Sequence, residues 1–327
     1  MTDNIIDRLL LSDEPSVRFK VLVNVLGKEP ESPEIRKAQK EVGEWARVRM
    51  LLSERSRDGR IPFHAYRKWH GAHWVLAVLA DIGYPPGDKS LIPLREQVYE
   101  WLLSEKHEKS IKTINGRTRR CASQEGNAVS YLLTLGLADD RTEELVRRLI
   151  KWQWADGGWN CDKNPEATKS SFWESHIPLR ALALHARLTG SFQSKQAAES
   201  ASEVFLKRRL YKRLKDGKPM NDDFVKLHYP CYWRYDILGG LKVMAEAGFV
   251  KDERCKDALD LLESKGLSNG GYPTEGKYYR VSKSARTGRS LVDWGGVSKK
   301  RMNEFVTADA LYVLKKAGRF TESKAMS

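Results

Sequence analysis

The chain has 327 residues, with 57 lysines and arginines against 43 aspartates and glutamates, and a formal charge of +14. With 41% hydrophobic and 31% charged residues it reads as a globular chain, neither disordered nor fibrous. No run approaches the roughly 18 apolar residues of a membrane span. The N-terminal MTDNIIDRLLLSDEP lacks the pattern of a secretion signal. Cys121, Cys161, Cys231 and Cys255 follow no zinc-finger or disulfide spacing, and the expected location is the cytoplasm.

Residues 5–11 and 16–27 predict a shortened helix pair whose second helix ends in VLVNVLG at Gly27. RMLLSERSRDGR (49–60) predicts a helix and turn, answered by VLAVLADIG ending at Gly83. The third unit has a helix over 98–106, a turn at NGR (115–117), and VSYLLTLG ending at Gly136. LVRRLIKWQWADGGW (145–159) and LRALALHARLTG, ending at Gly190, make the fourth. In the fifth, VFLKRRLYKRLKDGK (204–218) predicts one helix carrying the basic runs Lys207-Arg208-Arg209 and Lys212-Arg213, and LGGLKVMAEAG ends at Gly248. The sixth pairs LDLLESKGLSNGGY (259–272) with ALYVLKKAG ending at Gly318.

A glycine just past a helix end suits the left-handed cap, where a Cβ is penalised. Its recurrence at intervals of 56, 53, 54, 58 and 70 residues marks a repeat. Apolar spacing within the units is helical. The second helices are apolar nearly all round, as in Trp74-Val75-Leu76-Ala77-Val78-Leu79-Ala80, whereas the first helices keep a charged face. The expectation is an all-α chain, residues 1–327 forming one (α/α)6 toroid of six helical hairpins. The second helices would form its inner ring, and a long basic loop would span about 273–303.

The segment Trp152-Gln153-Trp154-Ala155-Asp156-Gly157-Gly158-Trp159 resembles the QW motif of squalene and other terpenoid cyclases, shared in looser form by protein prenyltransferase β-subunits. Asn269-Gly270-Gly271-Tyr272 and Asp58-Gly59-Arg60 are degenerate copies. The resemblance implies the same toroid and an elongated, phosphorylated isoprenoid-like molecule in its central cavity. It does not carry the chemistry over. The chain has no Asp-x-Asp-Asp acid, the nearest strings being Asn221-Asp222-Asp223 and Asp257-Ala258-Leu259-Asp260. It also has no Asp-x-Cys zinc pair, although Cys121, Cys231 and His176 stand at comparable places. Neither zinc nor magnesium has a motif to support it, no metal ligands are assigned, and whether the protein is an enzyme stays open. A transferase or lyase of this superfamily would be the reaction class.

Parallel inner helices gather their N-termini at one mouth, where unpaired N–H groups and aligned dipoles favour anions. The residues at that level are the candidate lining. His73, Glu125, His176 and Asp236 are the candidates for general acid–base work. His70, Trp74, Arg120, Cys121, Gln124, Trp173, Trp233, Arg234, Tyr235 and Asp309 are the candidates for ligand binding, aromatic walls with a few charges suiting an apolar ligand with a polar head. Glu174 at the same level also reads as a helix-start carboxylate on the dipole. Cys121-Ala122-Ser123-Gln124 has the Cys-x-x-Gln spacing of an internal thioester, without the flanking glycine and glutamate of that motif. The basic loop should hang over the same mouth as a lid. The competing reading is a helical scaffold that binds protein or nucleic acid through Arg208, Arg209, Lys212 and Arg213. Paired-carboxylate glycan chemistry is a third. A cavity lined by His73, Trp74, His176, Trp233 and Asp236 would favour the small molecule; a continuous exposed basic stripe would favour the scaffold.

Overall fold

A computed structural model describes residues 4–284 and 286–320. Among them the chain is predominantly helical, with fourteen α-helices. In chain order these are α1 (Ile5–Leu10), α2 (Pro15–Lys20), α3 (Pro33–Gly43), α4 (Ala46–Leu52), α5 (Ala72–Asp81), α6 (Ile92–Leu102), α7 (Glu105–Ser110), α8 (Ser123–Thr134), α9 (Asp140–Trp152), α10 (Phe172–Thr189), α11 (Phe192–Leu206), α12 (Ile237–Glu246), α13 (Lys256–Glu263) and α14 (Glu304–Lys316). A π-helical turn, Val21–Val25, extends α2. Strands β1 (Lys112–Ile114) and β2 (Arg117–Arg119) form a hairpin, and β3 (Arg280–Val281) pairs in parallel with β4 (Arg289–Ser290).

The helices sort into two kinds, as their residue patterns demand. In α9, Leu145, Val146, Leu149 and Trp152 face inward while Arg147 and Lys151 are exposed. Asp139 and Thr142 cap its start reciprocally. In α14, by contrast, every residue from Phe305 to Leu314 is buried. The buried kind comprises α2, α5, α8, α10, α12 and α14. Along the chain α5 packs on α8, α8 on α10, α10 on α12 and α12 on α14, and α14 packs on α2. Lys20 of α2 then reaches Asp81 of α5 at 3.0 Å. Each buried helix also packs against the one-sided helix that follows it: α2 on α3, α5 on α6, α8 on α9, α10 on α11, α12 on α13. Helices α8 and α10 approach closely. A Cβ on Gly126 would sit 2.8 Å from the Pro178 nitrogen, so only glycine lets these backbones meet.

All six expected cap glycines, Gly27, Gly83, Gly136, Gly190, Gly248 and Gly318, have φ between +63° and +89°. Gln153 ends α9 and clasps its neighbour: its Nε2 donates to the Gly157 carbonyl (2.7 Å) and to the Ala197 carbonyl of α11 (2.8 Å). Trp154 Nε1 donates to the Thr118 carbonyl at 2.8 Å. The single full QW-like segment thus ties two one-sided helices together.

Several expected elements differ. The helix expected over 204–218 ends at Leu206, because Arg209 (φ 45°) and Leu210 (φ 68°) turn the chain into the left-handed region. The basic run therefore lies on turns and not on a helix face. Residues 98–106 fall in α6 and the start of α7, and only 46–52 of the second unit is helical before its turn. The NGR turn closes a β-hairpin, with Asn115 at φ 50° and Gly116 at φ 70°. Helix α3 was not foreseen. Tyr232 to Tyr235 precede α12, which starts after its cap Asp236. No described helix is long and apolar enough to cross a membrane.

Candidate functional site

Two adjoining cavities lie among the buried helices. The upper, of about 120 Å³, touches Val78 of α5, His176 and Ile177 of α10, Leu238 and Gly239 of α12, and the segment His228 to Tyr232. The lower, of about 250 Å³, touches Ala80, Thr134, Leu184, Arg187 and Glu246, which lie further along the same helices. The shift runs toward the C-terminus in α5, α8, α10 and α12 alike, so these helices point the same way. Asp81 and Arg180 belong to both cavities.

At Asp81, which lines both chambers, stands a square of alternating charge. Lys20 Nζ lies 3.0 Å from Asp81 and 3.2 Å from Asp309, and Lys242 Nζ lies 3.0 Å from each of the same two carboxylates. Tyr229 OH donates to Asp81 Oδ2 at 2.9 Å. Burial works to raise the Asp81 pKa, but Lys20 and then Lys242 outweigh it and hold the carboxyl well below its usual range. Burial pulls the Lys242 ammonium down, while Asp309 and Asp81 outweigh it and raise its pKa. Arg180 pairs with Glu246 beside the square.

The long loop packs against the segment that holds Lys68 and Trp69, beside the upper chamber. The Trp69 N–H donates to the Arg289 carbonyl (2.9 Å) and the Gly288 N–H to the Lys68 carbonyl (2.8 Å), while Trp69 Nε1 donates to the Tyr278 carbonyl (2.8 Å). Trp69 stacks on Tyr232, ring centroids 3.9 Å apart. At this rim two cations flank one indole. Lys68 Nζ is 5.0 Å and the Arg234 guanidinium 5.1 Å from the Trp233 ring centroid, and Arg234 also stands 4.6 Å from the Tyr278 ring. Neither cation meets a carboxylate among the described residues. Arg234 Nε is buried without a hydrogen-bond partner. Burial, then the Arg234 charge, pushes the Lys68 pKa down.

Of the residues expected at the site, His176, Arg234 and Asp309 line the upper cavity. His176 Nδ1 bonds the Phe172 carbonyl at 3.0 Å, and burial pushes its ring pKa down to about 4. Trp233 and Trp173 meet edge to face at the rim, centroids 6.0 Å apart. The others lie elsewhere. His73 is wholly buried, its Nδ1 3.0 Å from Tyr131 OH, and burial pushes its pKa down to about 3. His70 is buried edge-on to Phe63, and Trp74 Nε1 donates to the Tyr66 carbonyl. Asp236 caps α12, accepting from the N–H groups of Gly239 (2.7 Å) and His228 (2.8 Å). Tyr235 is in the core, its OH donating to the Leu210 carbonyl. Glu125 Oε1 accepts from Arg120 Nη2 (2.7 Å) and His107 Nε2 (3.0 Å), while its Oε2 is buried without a hydrogen-bond partner.

Gln124 Oε1 accepts from Arg120 Nη2 at 2.7 Å, and Cys121 stands beside Cys161. Cys121, Cys231 and His176 do not converge as a zinc set. Cys231 instead donates to Asp236 Oδ2 (3.4 Å), while Cys121 meets Cys161 and Glu174. Sequence reasoning missed Lys68, Lys20, Asp81 and Lys242. The last three had a signal: single charges inside otherwise apolar helices are rare unless paired. The sequence matches no protein-family model, and neither the curated proteins nor the solved structures compared with it give a match.

Proposed function

We propose that the six buried helices close into the inner ring of an (α/α)6 toroid. We propose further that the protein binds, in the cavity they surround, a small molecule with an anionic head and an apolar body. The contact of α14 with α2 and the Lys20–Asp81 pair support the ring. The observation that carries the ligand is the pair Lys68 and Arg234, two cations without carboxylate partners flanking Trp233 above an apolar-walled chamber. Such donors gain most from a phosphate or diphosphate, and the indole and Tyr278 hold them without neutralising them. Ala77, Val78, Ile177, Leu238 and Val243 offer the body of the ligand an apolar wall. Together with the resemblance of the QW-like segment, this favours an isoprenoid diphosphate. His176 and His228 are the rings placed to exchange a proton with such a ligand.

The ion pairs of the basic run weigh against the scaffold reading. Arg209 and Lys212 share Asp257, and Arg213 pairs with Asp216, so these charges form no free stripe. Calorimetric titration with farnesyl diphosphate, farnesol and inorganic diphosphate tests the proposal. Farnesyl diphosphate should bind, and Lys68→Ala with Arg234→Ala should weaken it at least tenfold, since each hydrogen bond to a charged group is worth about 1.5–3 kcal/mol. Absence of binding by any prenyl diphosphate, or an unchanged affinity in the double variant, overturns it.

A further inference from the structure

The sulfur atoms of Cys121 and Cys161 and a carboxylate oxygen of Glu174 lie within 4.8 Å of one another. The three residues come from three separate parts of the chain. Cys121 stands just before α8, Cys161 follows the turn after α9, and Glu174 lies in the first turn of α10. Two features hold them in place. The Arg120 N–H donates to the Asn160 carbonyl at 3.1 Å, locking the residues just before each cysteine side by side. The Ser123 N–H donates to Glu174 Oε2 at 3.1 Å, which leaves Oε1 turned to Cys161 Sγ at 3.7 Å. The close packing of α8 on α10 at Gly126 makes this backbone frame rigid.

We propose that Cys121, Cys161 and Glu174 form a zinc site with two sulfur ligands and one oxygen ligand. Tetrahedral zinc with bonds of about 2.3 Å to sulfur and about 2.0 Å to oxygen sets neighbouring ligands about 3.5–3.8 Å apart, and the Cys161–Glu174 separation of 3.7 Å falls in that range. Two thiolates select a soft or borderline cation over magnesium or calcium. The Ser123 N–H bond orients the carboxylate as an outer-shell partner does in established sites. Three protein ligands leave a fourth position for water or a ligand's thiol or oxygen. Cys121 and Cys161 are partly exposed, so that position is reachable.

The site does not depend on the ligand reading above, and its test reads metal rather than turnover. The full chain, reduced and stripped with chelator, is titrated with cobalt(II) and then zinc. One equivalent of cobalt should give the visible bands of a tetrahedral centre and a near-ultraviolet thiolate-to-cobalt charge-transfer band, and zinc should bleach both. Cys121→Ser, Cys161→Ser and Glu174→Gln should each weaken binding at least tenfold with the circular dichroism unchanged, while Cys255→Ala retains the spectrum. The wild-type spectrum stands as evidence even if a variant misfolds. Cobalt uptake without thiolate charge transfer, or a reduced chain that binds none and reoxidises to a Cys121–Cys161 disulfide, overturns the proposal.

Discussion

His73 and His176 occupy matching places near the starts of two buried helices, yet only His176 reaches a cavity. Both rings are held neutral by burial, with pKa values lowered to about 3 and about 4. An unfolded histidine titrates near 6.5, so as the pH falls the unfolded chain takes up the proton first. The stability from each neutral ring is therefore complete above about pH 6.5 and is lost as the pH falls, down to about 4 for His176 and about 3 for His73. The loss is up to about 1.4 kcal/mol per pH unit for each ring. Urea unfolding between pH 6.5 and 5 should show this slope, and His73→Phe should remove about one proton's share; an unchanged slope would contradict a neutral buried His73. The pair also explains which site residues were legible. Reading the helix starts finds the right level of the molecule, but successive residues turn by about 100° around a helix axis. His176 and Asp309 thus face the chamber while His73 and Trp74 face neighbours; Arg234, Tyr235 and Asp236 precede α12, where the turn and the Asp236 cap set their directions instead. Lys68 escaped because a loop cation carries no periodic signal, and Cys161 because its partners lie elsewhere in the sequence.

Among the elements, the apolar helices were the most legible because each ends on a glycine with a physical reason to be there. Those glycines are not equivalent. At Gly190 an added Cβ meets nothing within 4 Å, whereas at Gly83 it would fall 2.2 Å from the Phe19 ring. Gly190→Ala should cost about 1 kcal/mol, the strain of a left-handed alanine. Gly83→Ala should cost more, because the ring of α2 has to move as well. Chemical denaturation of the two variants checks the order, and equal losses would show that Phe19 yields freely. What failed at this scale was the helix over 204–218. Its local pattern is helical, but tertiary pairing of Lys212 and Arg209 with Asp257 and the left-handed turn at Leu210 override it. The short strands were invisible for a related reason: two- and three-residue ladders leave no alternation to read.

For the whole molecule, the charge square joins α2, α5, α12 and α14 at one level, so the first and last of the buried helices meet through ions as well as packing. A buried ion pair adds little over a well-packed apolar pair, but breaking one leaves a charge stranded. Lys242→Met should therefore cost about 3–5 kcal/mol, and adding Asp309→Leu should recover most of it. Additive losses in a denaturation cycle would show that the four charges are not one unit. The rim of the upper chamber has its own relation to chain order. Trp69 is bound by its indole to a carbonyl 209 residues further on, and its neighbour Lys68 is tied by backbone to Gly288. During synthesis, the chain therefore emerges almost entirely before this rim has both its sides. Fragments ending ahead of the long loop would carry most of the helices and still lack one side of this rim.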